Sequence, residues 1–145
     1  LKAITLHQPW ATLVALGFKK FETRSWPTQY RGELAIHAGK SQQYIGHTLT
    51  DGINVDGVQN ISIAAYLVKH APQAEFPLGS VLCVAKLVDC VPMTADFIAQ
   101  QSQVERAFGL WQVGRFAWEL EVTEVFVPPI AARGMQGLWN WSNAQ

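Results

Sequence analysis

The chain predicts an α+β fold, a strongly curved sheet of five or six strands with three or four helices covering its openings. Three observations carry this reading. Ser80 to Val91 is a long β-type run in which nearly every residue is apolar, the mark of a strand buried on both faces. Arg115 to Val127 is a second long run, with Phe116, Trp118, Leu120 and Val122 on one face and Glu119, Glu121 and Thr123 on the other. Short stretches with helical spacing lie between the strands. No repeat, low-complexity tract or linker interrupts them, so the 145 residues read as one domain, 1–145.

Taken in order, Lys2 to Leu6 alternates loosely and predicts a first strand. Pro9 suits the opening of a helix, where its missing N–H costs nothing. Trp10, Leu13 and Val14 then fall on one helical face, and Gly17 is placed to end the helix in a left-handed cap. Phe18 to Trp26 reads as a strand. Strict alternation sets Lys20, Glu22 and Arg24 on one face and Lys19, Phe21 and Thr23 on the other. After a turn at Arg31-Gly32, Glu33 to Ala38 forms the next strand, with Leu34, Ile36 and Ala38 inward and His37 on the other side. Residues 39–59 predict a modest helix around Tyr44 and Ile45 and a loop near Asp51 to Gly57. Ile61 to His70 is a helix with its apolar stripe at 61, 64, 65 and 68. Pro72 to Gly79 is a connector, and Thr94 caps a helix running to about Phe108. Pro128-Pro129 ends the last long strand, and the glycine- and tryptophan-rich tail, Gly134 to Trp141, packs back on the barrel.

Composition narrows the function. Only 15% of residues are charged and 49% are hydrophobic, which excludes a disordered chain. The net charge is zero, which excludes a general sponge for nucleic acid or anionic membrane. The charges are unevenly spread. Residues 1–40 hold six cations (Lys2, Lys19, Lys20, Arg24, Arg31, Lys40) against Glu22 and Glu33, and the rest of the chain is acidic to the same extent. A neutral chain of this kind can present one positive cleft. No run approaches the roughly 20 apolar residues of a membrane helix, and no secretory leader is read at the N-terminus. Cys83 and Cys90, if on one strand, lie on the order of 23 Å apart, beyond the about 7 Å that a disulfide spans. A reduced, cytoplasmic protein is expected. His7, His37, His47 and His70 show no metal-ligand spacing with the cysteines, so no metal and no cofactor is expected.

The chemistry concentrates in Gly17-Phe-Lys19-Lys20-Phe-Glu22-Thr-Arg24, flanked by His7-Gln8-Pro9-Trp10-Ala11 before it and Ser25-Trp26 after it. Glu22 and Arg24 can pair with one another to satisfy two buried charges. Alternatively, Arg24 offers forked donors to a phosphate or base edge while Glu22 orients it or accepts from an exocyclic amine. Lys19 follows the helix end, where ideal alternation fails, and can reach the same cleft. It serves there as a phosphate contact or, with its pKa lowered by burial or by Lys20 and Arg24, as a nucleophile or base. Trp26, before Pro27, is the tryptophan placed to stack a base, and His37 and His7 are further candidates for the cleft wall.

Gly17-x-Lys19-x-x-Glu22-x-Arg24, with Arg31-Gly32 and Leu87-Val88-Asp89-Cys90, resembles the signature of the ASCH domains, and of their coactivator-like branch in particular. The resemblance is strong over residues 1–40, fair over 79–91 and weak elsewhere. It implies a PUA-like small β-barrel with a cleft beside the motif. It also implies a nucleic-acid-binding module whose partner is RNA, single-stranded nucleic acid or a modified nucleoside, with Lys19, Lys20, Glu22, Arg24, Trp26 and His37 at the ligand. Some small stand-alone members are similar in motif but are amidohydrolases that deacetylate N4-acetylcytidine with a lysine, a threonine three residues later and a helical glutamate. Carried over, the lysine is Lys19 and the glutamate is Glu105. The threonine position holds Glu22, a departure, with Thr23 adjacent.

Overall fold

The computed structural model describes residues 1–45, 53–55 and 58–143. Its strands are β1 (Lys2–Leu6), β2 (Phe21–Arg24), β3 (Gly32–Ala38), β4 (Ile53–Val55), β5 (Val58–Ile61), β6 (Ser80–Pro92), β7 (Phe116–Ala131) and β8 (Leu138–Asn140). Between them lie α1 (Trp10–Ala15), α2 (Ile63–His70), α3 (Ala95–Ala99) and α4 (Gln103–Ala107). Six strands form one curled sheet in the order β2-β7-β6-β3-β1-β8, and β4 and β5 make a separate hairpin. The pair β1–β3 is parallel and every other pair is antiparallel. The architecture is α+β and matches the PUA-like half-barrel that the motif implies.

The sheet is buried on both faces along β1, β3 and the first half of β6; from Lys86 onward β6 is partly exposed, so the both-face burial expected of the whole run holds only up to Ala85. On the concave side Ile4, Leu6, Leu34, Ile36, Trp118 and Leu120 pack with Ala11 and Val14 of α1. On the other side Ala3, Ala35 and Val81 are covered by Trp139 and Trp141. The tail thus packs back as expected and also adds the strand β8 to β1. His37 belongs to this far side. Its Nδ1 lies 3.1 Å from Thr5 Oγ1, its Nε2 lies 2.7 Å from Ala132 O, and Trp139 meets its ring edge-on.

Four local expectations are corrected. The helix expected from Thr94 to Phe108 is two short helices, because Ser102 caps a second start by accepting from Glu105 N while Thr94 caps the first by accepting from Phe97 N. The last long strand runs through Pro128 and Pro129 to Ala131. Register shifts between Val81 and Cys83, so the residues between Val125 and Ile130, both prolines included, have no ladder partner and their missing N–H groups break no bond. The expected loop near 51–57 contains hairpin strands, and residues 46–52 and 56–57 lie outside the described residues. Finally, Ser62 caps α2, which rotates the buried stripe to Ile63 and Leu67 and leaves Val68 71% exposed.

Both cysteines are free and lie on β6. Burial pushes the Cys83 thiol up to about 12, while Cys90 is only half-buried. Iodoacetamide at neutral pH is therefore expected to modify Cys90 on the folded protein and Cys83 only after unfolding, because the thiolate is the reactive form. Mass spectrometry of the native protein showing both sites labelled at similar rates would contradict this burial.

Candidate functional site

The site begins with the way α1 ends. Gly17, at φ +81°, occupies the left-handed position just past the helix. Gly17 N donates to Val14 O at 2.9 Å and Phe18 N to Leu13 O at 3.0 Å, the paired bonds of a Schellman cap. Phe18 then packs beside Leu13 in the cluster that also holds Phe108. This reversal leaves residues 18–20 outside the strand, which starts only at Phe21. It also turns Lys19 inward, against the face that simple alternation gives it.

Lys19 is 2% exposed. Its Nζ donates to Phe108 O at 2.6 Å and lies 3.6 Å from Glu22 Oε1. Glu22 is fully engaged: Oε1 also accepts from Thr23 N at 3.1 Å, while Oε2 accepts from Arg24 Nε at 3.1 Å and lies 3.0 Å from Arg24 Nη2. Arg24 Nη2 further donates to Thr5 O at 2.9 Å, which ties β2 to β1. Three charges of the motif therefore converge on one point, two cations on one carboxylate. The ion pair is present, and its members line a cleft.

Around that point lies a cleft of about 520 Å³ that reaches solvent. One wall comes from Thr5, Leu6, His7 and Trp10, and another from Lys19 and residues 22–26. The loop after α4 contributes Phe108, Gly109 and Leu110, and Arg115 completes the lining. His7, Ser25 and Leu110 are exposed at its mouth, whereas Trp10 and Trp26 are half-buried in its sides. Trp118 holds Trp26 edge-to-face at 4.8 Å, and its Nε1 donates to Trp26 O. The indole N–H of Trp10 is buried with no hydrogen-bond partner, a cost of the kind that functional sites carry.

Not every expected residue reaches this cleft. Lys19, Glu22, Arg24, Trp26 and His7 line it. Lys20 is exposed and off the lining, because its position precedes the strand. His37 is on the far face of the sheet, as described above. Glu105 is buried but acts on backbone: its Oε1 accepts from Lys20 N at 3.0 Å and its Oε2 from Phe21 N at 3.3 Å. Burial raises the Glu105 pKa, against the pull of those two N–H groups and of Lys19.

Three contributors escaped sequence reasoning. Arg115 Nε donates to Leu110 O and its Nη2 to Thr23 O, bracing the loop against β2. Thr23, assigned to the opposite face, lines the cleft because that loop crosses the edge of β2, with Leu110 N donating to Thr23 Oγ1 at 3.1 Å. Gly109 permits the crossing. A methyl group there would sit 2.9 Å from Thr23 Cγ2 and 3.3 Å from Lys19 Nζ, so no side chain fits without movement. Its only sequence signal, a glycine after an expected helix end, reads as a cap rather than a close approach.

Burial is the main cause that pulls the Lys19 pKa below its ordinary 10.5, with Glu22 opposing. Between the lowered value and 10.5 the folded chain binds fewer protons at Lys19 than the unfolded chain. Stability from this group therefore rises with pH across that window and levels off above it. The unfolding free energy of the native chain minus that of Lys19→Met, from urea melts, should grow as pH climbs toward 10.5. A difference that stays flat over the alkaline range would mean that folding does not lower the Lys19 pKa.

Among the described residues no group of three or more His, Cys, Asp or Glu could hold a metal ion, and no helix is long and apolar enough to cross a membrane. Comparison with known proteins gives the family. The ASCH domain model matches residues 4–130. Activating signal cointegrator 1 of Mus musculus is 34% identical over 95 residues, and that of Homo sapiens is 32% identical over 92, each alignment covering 61% of this chain. The aligned part is 14% of each of those proteins, so the chain is similar to one small portion of them. With the motif, the fold and a family match over most of its length, the chain belongs to the ASCH domain family.

Proposed function

We propose that this protein is a nucleic-acid-binding module whose cleft receives one nucleotide of RNA or of another single strand. The observation that carries the reading is the composition of the cleft. Two tryptophans, Trp10 and Trp26, and three cations, Lys19, Arg24 and Arg115, surround one carboxylate in a volume suited to a small ligand. Lys19, bonded to Phe108 O and nearly inaccessible, belongs to the floor rather than to a phosphate contact. Arg24 is 23% exposed at the side chain and has Nη1 outside its bonds to Glu22 and Thr5, so it is the better ligand donor. Trp26 supplies the stacking face. With so few phosphate contacts, affinity should be modest and should fall gently with salt, by a log–log slope of about −0.7 per contact.

Fluorescence anisotropy with labelled single-stranded RNA and DNA at low salt tests this. Binding should be measurable, and Arg24→Ala and Trp26→Ala should each weaken it by about tenfold, roughly 1.4 kcal/mol. Absence of binding, or binding indifferent to Arg24, overturns the proposal.

A second reading is favoured by one observation, a buried lysine of lowered pKa beside a carboxylate. On this reading the protein hydrolyses an acyl-amide of a modified nucleoside. Water adds across the C–N bond of N4-acetylcytidine to give acetate and cytidine, Lys19 activates the nucleophile, and Glu22 moves the proton to the leaving amine. Glu105, held by two backbone N–H groups, has no free role in it. Chromatography of an incubation with N4-acetylcytidine separates the two readings. Cytidine that forms with the native chain and vanishes with Lys19→Ala displaces the binding-module reading.

A further inference from the structure

We infer that the cleft continues into a second stacking subsite, formed by His7 and Tyr44, which takes the base adjacent to the one bound inside. This rests on the nucleic-acid reading and extends it from one nucleotide to two.

Depth sets the orientation of the ligand. The inner end of the cleft is closed by Gly109 and by Lys19 and Glu22, whose charged groups bond one another, Phe108 O, Thr23 N and Arg24. A planar base can enter between aromatic walls, but a charged phosphate at the floor would find no uncommitted cation. The sugar and phosphate therefore remain at the rim, where a chain can run on. Beyond the rim on the α1 side, the aromatic surface continues. His7 is exposed and lines the cleft, Tyr44 meets its ring edge-on at 4.9 Å, and the same Tyr44 lies 5.1 Å from Trp10.

The His7 side of the platform is also held in place, which favours binding because little is lost on ordering it. Gln8, fully buried, is fixed at both ends: its Oε1 accepts from Thr12 N at 3.0 Å and its Nε2 donates to Pro77 O at 2.9 Å. Ala11 N donates to His7 O, so the backbone at His7 is held as well. This gives His7-Gln8-Pro9-Trp10 a joint purpose: Trp10 walls the first base, His7 begins the second platform, and Gln8 locks the turn between them.

The test is a length series. The four nucleoside 5′-monophosphates and the matching homodinucleotides compete with a labelled oligonucleotide for the native protein, Tyr44→Ala and Tyr44→Phe. The native protein should bind the dinucleotide about tenfold more tightly than the mononucleotide. Tyr44→Ala should lose that increment while keeping its mononucleotide affinity, which also certifies that it folds, and Tyr44→Phe should keep the increment. Equal affinity of the native protein for the two lengths, or an increment untouched by Tyr44→Ala, overturns the second subsite and leaves the one-nucleotide reading standing. If no ligand of either length competes, both fall together.

Discussion

The burial of one ammonium group organises this end of the molecule. Transferring the Lys19 charge out of water is costly, and a partner lost from such a buried pair typically costs about 3–5 kcal/mol. The compensation comes from two separate pieces of chain: the carbonyl of Phe108, in the loop after α4, and the carboxylate of Glu22, on β2. The same carboxylate takes Arg24, and Arg24 takes the carbonyl of Thr5 on β1. A single chain of charge-assisted bonds thus runs from the loop through β2 to β1, across a part of the sheet where β2 and β1 are not neighbours in the ladder. The cleft is the space this bridging leaves open. The walls from β2, from the loop after α4 and at Thr5 are held by these bonds.

Glu105 plays the complementary part for backbone. β2 is an edge strand, paired only with β7, and the chain entering it exposes N–H groups that no neighbouring strand accepts. Ser102-x-x-Glu105 has the sequence of a capping box, in which the glutamate would reach back to its own helix start. Here the serine caps as expected, but the glutamate is diverted to Lys20 N and Phe21 N. Helix α4 is thereby fastened to the beginning of β2, and Phe108 is carried into range of Lys19. Burial disfavours the carboxylate, and the two donors favour it.

Sequence made the sheet legible where one rule dominated. The alternation of β7 and the glycine after α1 each had a single reading, and the structure has them; β6 is the strand expected, but it is buried on both faces only in its first half. It failed where two rules competed. Helical spacing over 94–108 hid the second cap at Ser102. A proline pair read as a strand end sits instead in a bulge, since the rule forbids proline only where a ladder bond is needed. Strict alternation put Thr23 away from Glu22, yet a loop almost 90 residues later in sequence crosses the strand edge and brings both to one cleft. The cluster of Lys19, Glu22 and Arg24 was legible because its members are adjacent in sequence. Arg115, Gly109 and the clamp at Glu105 were not, because their partners are set by tertiary contact alone.

The division of labour within the cleft bears on how it can bind. Charges at the floor are saturated, so they contribute shape and field rather than new bonds, and a ligand need not break them to enter. The groups left for recognition are aromatic faces and the outward part of Arg24, which act on any base and any phosphate. Under the proposed nucleic-acid function, such a site would discriminate by what fits between its walls rather than by a dense set of hydrogen bonds. The uneven distribution of charge along a neutral chain contributes less to the cleft than the sequence suggests. Of the six cations in residues 1–40 only Lys19 and Arg24 line the cleft, joined there by Arg115, so the positive excess of this segment is only partly focused on it.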